Sequence, residues 1–298
     1  MPRLRVEDLH KAFNQKNVLE GVSFDVPAGG IMSIVGPSGC GKTTLFRCIL
    51  GEIGPDGGRV LLDGQDVTRV PVEQRGVGIV YQSYALFPHM SVADNVAYGL
   101  RARGESADKT AARVREMLEL VQLTGEADKF PDEISGGERQ RVALARALAV
   151  KPHVLLLDEA FAALDATTRS DVVQEVRRII RSMGVTTLLI THDQEEAFLF
   201  SHHVLVLNEG RIVVSGTPRE VMAYDHPFIQ EFVKMILLAS GTVASDERGR
   251  TFVMLEDGDE LPITTQGVKP GDEVHVMIKK GLQTESIDVW PYDAVHSE

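Results

Sequence analysis

Cysteine is scarce in this sequence of 298 residues. Only Cys40 and Cys48 occur, and both lie in one short stretch. Two cysteines so placed cannot build a disulfide framework, which excludes the usual architecture of small secreted domains. The cysteine content therefore indicates a reducing compartment such as the cytosol.

Long apolar runs and an excess of basic charge are also absent. No stretch approaches the roughly 20 apolar residues of a membrane-spanning helix, and no apolar signal segment follows Met1. Acidic residues outnumber basic ones by 43 to 31, which gives a formal net charge of −12. This charge argues against a broad surface for nucleic-acid phosphates. We therefore expect no nucleic-acid partner, and we expect any role at a membrane to depend on partner proteins.

What the sequence does contain is an alternation of apolar strands and helices. Strands are predicted at residues 154–157, 187–190 and 204–207, with helices between them, which favours a mostly parallel sheet covered by helices. A helical insert of about residues 91–150 interrupts this pattern. Within it, apolar residues recur at helical spacing, at Val114, Met117, Leu118 and Val121.

The two ends of the chain carry further patterns. A short first strand is predicted at residues 4–6, and a helical connector is predicted at residues 228–238. After Gly241 the residues alternate as in short strands, with a turn at Pro270-Gly271-Asp272. We therefore predict an α/β domain at residues 1–240 and a small all-β, barrel-like domain at residues 241–298.

A glycine-rich motif lies between a predicted strand and a predicted helix. Residues 36–43, Gly-Pro-Ser-Gly-Cys-Gly-Lys-Thr, match the phosphate-loop pattern G-x-x-x-x-G-K-[ST]. Backbone N–H groups of such a loop curl around phosphate oxygens at the positive end of the helix. Lys42 is expected to neutralise the β- and γ-phosphates of ATP, and the Thr43 hydroxyl is expected to bind Mg²⁺. Nucleotide contacts are predicted for Ser38, Gly39, Cys40, Gly41, Lys42, Thr43 and Thr44.

Two adjacent carboxylates, Asp158 and Glu159, follow the apolar run of residues 154–157. At the tip of a buried strand, Asp158 would hold Mg²⁺ and Glu159 would act as general base on the attacking water, a role typically worth about 10²- to 10⁴-fold in rate. Alone, the pair is also compatible with a solvated acidic turn, although this interpretation is the less favoured of the two. The phosphate loop earlier in the chain favours the catalytic interpretation.

A second glycine-rich turn narrows the choice among nucleotide hydrolases. Ile134-Ser135-Gly136-Gly137-Glu138 precedes an apolar helix and so offers a second anion-binding helix start. This segment resembles the signature motif of the ATP-binding cassette family. The resemblance covers nearly all of residues 3–240 and implies a P-loop fold, ATP hydrolysis and a head-to-tail homodimer. In such a dimer each ATP lies between the phosphate loop of one subunit and the signature residues Ser135, Gly136, Gly137 and Glu138 of the other.

The resemblance also assigns roles to single residues. It implies that Gln82 senses Mg²⁺, that Asp165 lies at the dimer interface and that His192 contacts the γ-phosphate. An isolated histidine after an apolar strand is more often structural, and only its position in the ordered motif set reverses that. By the same resemblance Phe13 stacks on adenine and Val18 contacts the nucleotide, although Phe13 is also compatible with a core position.

The segment of residues 82–90, from Gln82 to Met90, resembles bacterial importers for sugars, polyamines, ferric iron or oxyanions. This implies transmembrane permease subunits as partners, an extracytoplasmic substrate-binding protein as an indirect partner, and a location at the cytoplasmic face of the plasma membrane. Residues 241–298 resemble a shortened C-terminal regulatory domain with an OB-like barrel. It would bind a regulatory ligand or brace the dimer, and bracing is slightly favoured.

Two departures from the family pattern and one alternative function remain. The signature has Ile134 for leucine and Glu138 for glutamine, and Ala160-Phe161-Ala162 replaces the proline, phenylalanine and serine common in importers. Neither departure removes a catalytic group.

The alternative is a soluble cassette ATPase that acts on nucleic acid or ribosomes. It is disfavoured because the sequence has neither a long coiled coil nor a second cassette, and because its charge is acidic.

Overall fold

The computed structural model describes residues 2–164, 166–233, 236–245, 251–255, 260–262, 269–280 and 285–291. The chain divides into two compact units, Met1–Pro218 and Arg219–Glu298. Among the described residues, no helix combines the length and the apolar character that crossing a bilayer requires.

The first unit contains most of the regular structure. Its strands are β1 (Pro2–Phe13), β2 (Lys16–Pro27), β3 (Ile31–Val35), β4 (Gly57–Leu62), β5 (Gln65–Asp66), β6 (Val77–Val80), β7 (Val154–Asp158), β8 (Thr186–Ile190), β9 (His203–Asn208) and β10 (Arg211–Gly216). Its helices are α1 (Lys42–Leu50), α2 (Val92–Ala102), α3 (Ala107–Leu120), α4 (Gly136–Ala149), α5 (Ala166–Ser182) and α6 (Gln194–Phe200). Two 3-10 turns lie at Val72–Gln74 and Thr124–Glu126.

The central sheet of this unit has the strand order β10-β9-β3-β8-β7-β6. All neighbouring pairs are parallel except β10 and β9. Every residue of β3 and β8 is buried, because helices cover both faces of a parallel sheet and select continuous apolar runs. The mostly parallel sheet is thus confirmed. It places the carboxyl ends of β3, β7 and β8 at one edge, where ligands of open α/β sheets bind.

A second, antiparallel sheet with the order β2-β1-β4-β5 begins the unit. Strand β1 extends to Phe13, well beyond the short strand predicted at residues 4–6. Asn14 and Gln15 join it to β2 with φ values of 48° and 65°. Positive φ at both central residues is the geometry of the two-residue turns that match strand twist. The turn therefore fixes Phe13 and Lys16 opposite one another at the hairpin end.

The predicted helical insert is present and is formed by α2, α3 and α4. The four apolar positions predicted to share one face, Val114, Met117, Leu118 and Val121, are all buried. Helix α2 begins at Ser91, whose side chain accepts a hydrogen bond from the backbone N–H of Asp94. Helix α4 begins at Ser135, so the glycines of the signature segment form its first turn.

The second unit contains α7 (Pro218–Met222), α8 (Pro227–Phe232) and a five-stranded sheet. The strands are β11 (Ile236–Ser245), β12 (Thr251–Leu255), β13 (Glu260–Pro262), β14 (Glu273–Lys280) and β15 (Glu285–Pro291). They form an antiparallel sheet in the order β13-β12-β11-β14-β15.

The helix predicted at residues 228–238 is wrong in its second half. Helix α8 ends at Phe232, and a strand begins at Ile236. The apolar run at 236–238 pairs with residues 277–279 of β14, a partner about 40 residues away that local periodicity cannot reveal. The predicted turn at 270–272 is confirmed: the Asp272 N–H donates to the Lys269 carbonyl immediately before β14.

Candidate active site

The phosphate loop joins β3 to α1 and is packed closely against its surroundings. A Cβ atom at Gly36 would lie 2.0 Å from the Leu207 carbonyl oxygen, and one at Gly41 would lie 2.7 Å from the Val18 carbonyl oxygen. Gly41 also has a φ of 110°, which side-chain-bearing residues rarely adopt. These two positions therefore require glycine.

The loop leaves donors available at the start of α1. No side chain of the described residues caps this helix, and its first backbone bond runs from the Leu45 N–H to the Gly41 carbonyl. The N–H groups of Lys42, Thr43 and Thr44 thus precede the first intrahelical donor. Thr43 is exposed, as are Ser38 and Gly39 in the loop itself. Accessible donors at a helix start form an anion-binding site.

Lys42 is buried inside the curve of the loop. Its Nζ donates to the Gly36 carbonyl at 2.7 Å and to the Pro37 carbonyl at 3.0 Å. The Cys40 Sγ lies 3.9 Å from the same Nζ. Burial raises the pKa of the Cys40 thiol, so Cys40 offers its backbone rather than a thiolate to this site. The loop therefore concentrates one positive charge at its centre.

The two carboxylates differ in backbone and environment. Asp158 is the last residue of β7, and burial raises its pKa, with a further increase from the neighbouring Glu159 charge. Glu159 follows with a φ of 46°, and its N–H donates to the Ile190 carbonyl at 2.8 Å. Left-handed backbone at a residue with a side chain is costly and is concentrated at functional sites.

Glu159 and His192 are in direct contact. His192 Nδ1 lies 3.1 Å from Glu159 Oε1, although the two residues are 33 positions apart. The His192 side chain is 60% exposed and that of Glu159 is 28% exposed, so both face an accessible space. The structure thus brings together two of the residues that the sequence assigned to catalysis.

The residues present fit a magnesium ion only together with a nucleotide. Among the described residues, no cluster of three or more His, Cys, Asp or Glu side chains is able to hold a metal alone. The available donors are the Thr43 hydroxyl, the Asp158 carboxylate and the exposed Gln82 amide, all oxygen ligands of the kind Mg²⁺ prefers. A bound cation would offset the burial that raises the pKa of Asp158 and would favour the ionised carboxyl.

The first hairpin lies against the phosphate loop through Val18. The Val18 carbonyl approaches both Gly41 and Gly210, at 2.7 Å and 2.5 Å from the positions their Cβ atoms would take. Phe13, on the facing strand, is 46% exposed, with Lys11 Nζ 5.3 Å from its ring centroid. This exposure is incompatible with the alternative that Phe13 is a core residue. An exposed aromatic ring in the hairpin that contacts the phosphate loop is able to stack on a base.

The signature segment is a capped helix start. The Glu138 N–H donates to Ser135 Oγ at 3.3 Å, and the Ser135 N–H donates to Glu138 Oε2 at 2.7 Å. The hydrogen bond from the Ser135 backbone lowers the pKa of Glu138. Glutamate at this position thus serves the reciprocal cap. Within the described residues, no hydrogen bond joins this segment to the phosphate loop, and Asp165 lies outside the described residues.

Sequence reasoning missed a polar cluster near the backbone of His192, which consists of Arg169, Thr191, Asp193 and Glu196. Asp193 caps α6 by accepting from the N–H groups of Glu195 and Glu196, and Glu196 is 3% exposed. The spacing Asp-x-x-Glu before an apolar helix is a helix-start pattern that would have identified two of the four. Nothing in the local sequence indicates Arg169, which comes from α5.

Comparison with known proteins finds similarity over most of the chain. The "ABC transporter" family profile matches residues 19–162. The sulfate/thiosulfate import ATP-binding protein CysA 2 of Agrobacterium fabrum is 45% identical over 280 residues, covering 91% of this chain and 81% of the relative. A sulfate/thiosulfate import ATP-binding protein of Burkholderia mallei is 48% identical over 279 residues (90% and 79%). The spermidine/putrescine import ATP-binding protein PotA of Aliivibrio fischeri is 42% identical over 290 residues (95% and 77%).

Proposed function

The chain belongs to the ABC transporter family as the ATP-binding subunit of an import transporter that couples ATP hydrolysis to transport, and from this premise we propose how its residues divide that work. The nucleotide binds at the start of α1. Lys42 exchanges its two loop carbonyls for phosphate oxygens, while the backbone and side chains of residues 38–44 surround the phosphates. Phe13 stacks on the adenine, and Val18 supports it from the paired strand.

Hydrolysis is assigned to Glu159 and His192. Glu159 orients the attacking water and accepts its proton, and His192 holds Glu159 and contacts the γ-phosphate. The observation that carries this assignment is the 3.1 Å contact between His192 Nδ1 and Glu159 Oε1. Thr43, Gln82 and Asp158 would hold Mg²⁺, whose charge neutralises the phosphates during the reaction.

The signature residues act on a second copy of the chain. The start of α4 is a second anion-binding surface and is formed by Ser135, Gly136, Gly137 and Glu138. The nucleotide at the phosphate loop already occupies the first such surface, at the start of α1. We assign them to the nucleotide of the partner in a homodimer, with Asp165 at the interface. Both composite sites then close together when two ATP molecules bind.

The dimer works at the cytoplasmic face of the plasma membrane with permease subunits, which receive solute from an extracytoplasmic binding protein. The loop from Gln82 to Met90 faces the permease. Residues 241–298 form the regulatory domain, an OB-like barrel that braces the dimer. The relatives with the higher identities carry names of sulfate and thiosulfate import, so an oxyanion of this kind is the first solute to test, with polyamines second.

The Glu159→Gln variant tests the assignment. Because glutamine keeps the shape of the side chain but is not a proton acceptor, this variant should bind MgATP normally, accumulate as a closed dimer and lose at least about 100-fold in kcat. Glu119→Gln, at an exposed position of α3, is the control and should keep full turnover. Near-normal turnover of Glu159→Gln, measured by phosphate release, would remove Glu159 from its role.

Uptake by cells tests the solute. Cells that lack this chain should lose accumulation of labelled sulfate and regain it with the wild-type chain but not with Glu159→Gln. Loss of spermidine uptake instead would assign the transporter to polyamines.

A further inference from the structure

The backbone on both sides of His192 is held by buried hydrogen bonds. The Thr191 hydroxyl donates to Glu196 Oε2 at 2.6 Å, and the Asp193 N–H donates to Thr191 Oγ1 at 2.9 Å. Thr191 and Glu196 are 1% and 3% exposed. The imidazole of His192 itself is largely exposed. Its position therefore depends on its neighbours Thr191 and Asp193, which these hydrogen bonds hold, rather than on packing around the ring.

One guanidinium links this segment to the residues that follow Glu159. Arg169 Nη1 donates to Asp193 Oδ2 at 3.0 Å, and Nη2 donates to the Leu164 carbonyl at 2.9 Å. The segment from Glu159 to Leu164 is itself a series of turns, since the Ala162 N–H donates to the Glu159 carbonyl at 3.1 Å. Contacts therefore run in a closed ring from Glu159 through Leu164, Arg169 and Asp193 to His192 and back to Glu159.

The third donor of Arg169 has no acceptor within hydrogen-bond distance among the described residues. Its Nε is buried and lies 4.0 Å from Glu196 Oε1. Buried donors are almost always satisfied, and exceptions need an explanation. Here the hydrogen bonds of Nη1 and Nη2 fix the plane of the guanidinium, which leaves Nε facing the Glu196 carboxyl. Lysine is unable to reproduce two donors in one plane that reach two fixed acceptors.

We infer that Arg169 is a positioning residue for the pair Glu159 and His192. It holds the segment that carries His192 at a fixed distance from the segment that begins with Glu159, and thereby sets the separation of the two side chains. The inference rests on the proposed function, in which this pair acts on the attacking water. Arg169 contacts neither reacting atoms nor nucleotide in this arrangement, so its effect on turnover must pass through the pair.

A double-mutant cycle between Arg169 and His192 tests this role. Single-turnover hydrolysis of radiolabelled MgATP is measured for wild type, Arg169→Ala, His192→Ala and the double variant, with KM from steady-state assays. Arg169→Ala should lower kcat by about 10- to 100-fold, since small misplacements of catalytic groups cost this much, and should change KM by less than about threefold. In the His192→Ala background the same change should lower the rate by less than about twofold.

Two further variants separate positioning from general stability. Arg169→Lys should stay close to Arg169→Ala, because one ammonium does not span both acceptors in the same geometry. Arg113→Ala is the matched control: Arg113 donates to the carbonyls of Leu148 and Ala149 within the helical insert and should leave kcat unchanged. If Arg169→Ala does not fold, Asp193→Asn replaces it, because asparagine keeps an oxygen for the α6 cap but loses the charge that faces Arg169.

The outcomes are distinguishable. An equal fall in rate for Arg169→Ala in both backgrounds, or no fall in the wild-type background, would overturn the inference and leave the proposed function intact. An unchanged rate in His192→Ala alone would refute the proposed function, and this inference with it.

Discussion

Replacing Glu196 by glutamine should change how the stability of the protein depends on pH. Glu196 is 3% exposed, and its carboxyl accepts one hydrogen bond, from the Thr191 hydroxyl. Burial raises the pKa of Glu196 from 4.5 to about 7, and the Asp193 charge adds to the rise. The Thr191 hydrogen bond and the charges of Arg169 and His192 act in the opposite direction and are smaller than the effect of burial.

The sign follows from proton binding. Between pH 4.5 and about 7 the folded protein holds a proton on Glu196 that the unfolded chain has released, so the free energy of unfolding falls as pH rises through this window. One pKa unit corresponds to about 1.4 kcal/mol, and the whole window therefore corresponds to about 3 kcal/mol. Glutamine does not ionise, yet it keeps an oxygen that accepts from Thr191. The free energy of unfolding of the variant, relative to that of the wild type, should therefore be up to about 3 kcal/mol higher at about pH 8 than at about pH 5.

Urea unfolding of the full chain, followed by far-ultraviolet circular dichroism at these two pH values, measures the difference. Glu119→Gln, on the exposed face of α3, is the control and should shift both free energies equally. A constant difference between Glu196→Gln and wild type at the two pH values would mean that Glu196 is ionised throughout and paired with Arg169, which would refute the reasoning.

Three further substitutions have defined outcomes. Phe13→Ala should weaken ATP binding about tenfold or more, because base stacking is worth about 1–3 kcal/mol, while the free energy of unfolding changes by less than about 0.5 kcal/mol at this exposed position; calorimetry and urea unfolding check both. Asn95→Ala should lower the free energy of unfolding by at least about 3 kcal/mol in the same assay. The Asn95 amide is fully buried: its oxygen accepts from the Phe87 N–H, and its nitrogen donates to the carbonyls of Phe87, Met90 and Ser91. Ser135→Arg should leave ATP binding intact but abolish nucleotide-induced dimerisation in light scattering, whereas Ser106→Arg, at the start of α3, should not; persistent dimers of Ser135→Arg would contradict the shared-site arrangement.

The central sheet and the phosphate loop were predictable because their determinants are local. Strands β7, β8 and β9 are short apolar runs bounded by turn residues, and the structure extends each prediction by only one or two residues. The phosphate loop is a contiguous motif whose glycines are required by close backbone contacts at Gly36 and Gly41. In both cases the physical cause lies within the segment itself.

The remaining features depend on partners that are distant in sequence. Strand β1 continues through the polar residues Glu7, Asp8 and His10, which interrupt the apolar pattern that predicts a strand. The strand persists there because it pairs with β2 and β4, despite shifts in register. The contact between Arg169 and Asp193 spans 24 residues and joins two helices. The ordered motifs of the family indicated Glu159 and His192, but the contacts that position the two side chains against one another became visible only in three dimensions.

The two hydrogen bonds that Lys42 makes within the phosphate loop have a thermodynamic consequence. A free lysine side chain loses about 1.5–2 kcal/mol of rotamer entropy when it is immobilised. In this protein the two hydrogen bonds immobilise Lys42 when the chain folds, so the loss occurs before nucleotide binds. In the proposed role of Lys42, an arriving triphosphate would replace these two acceptors around an ammonium that is already in position, so little of the attraction would be lost in ordering the side chain. The loop would thus be preorganised for the nucleotide before any ligand arrives.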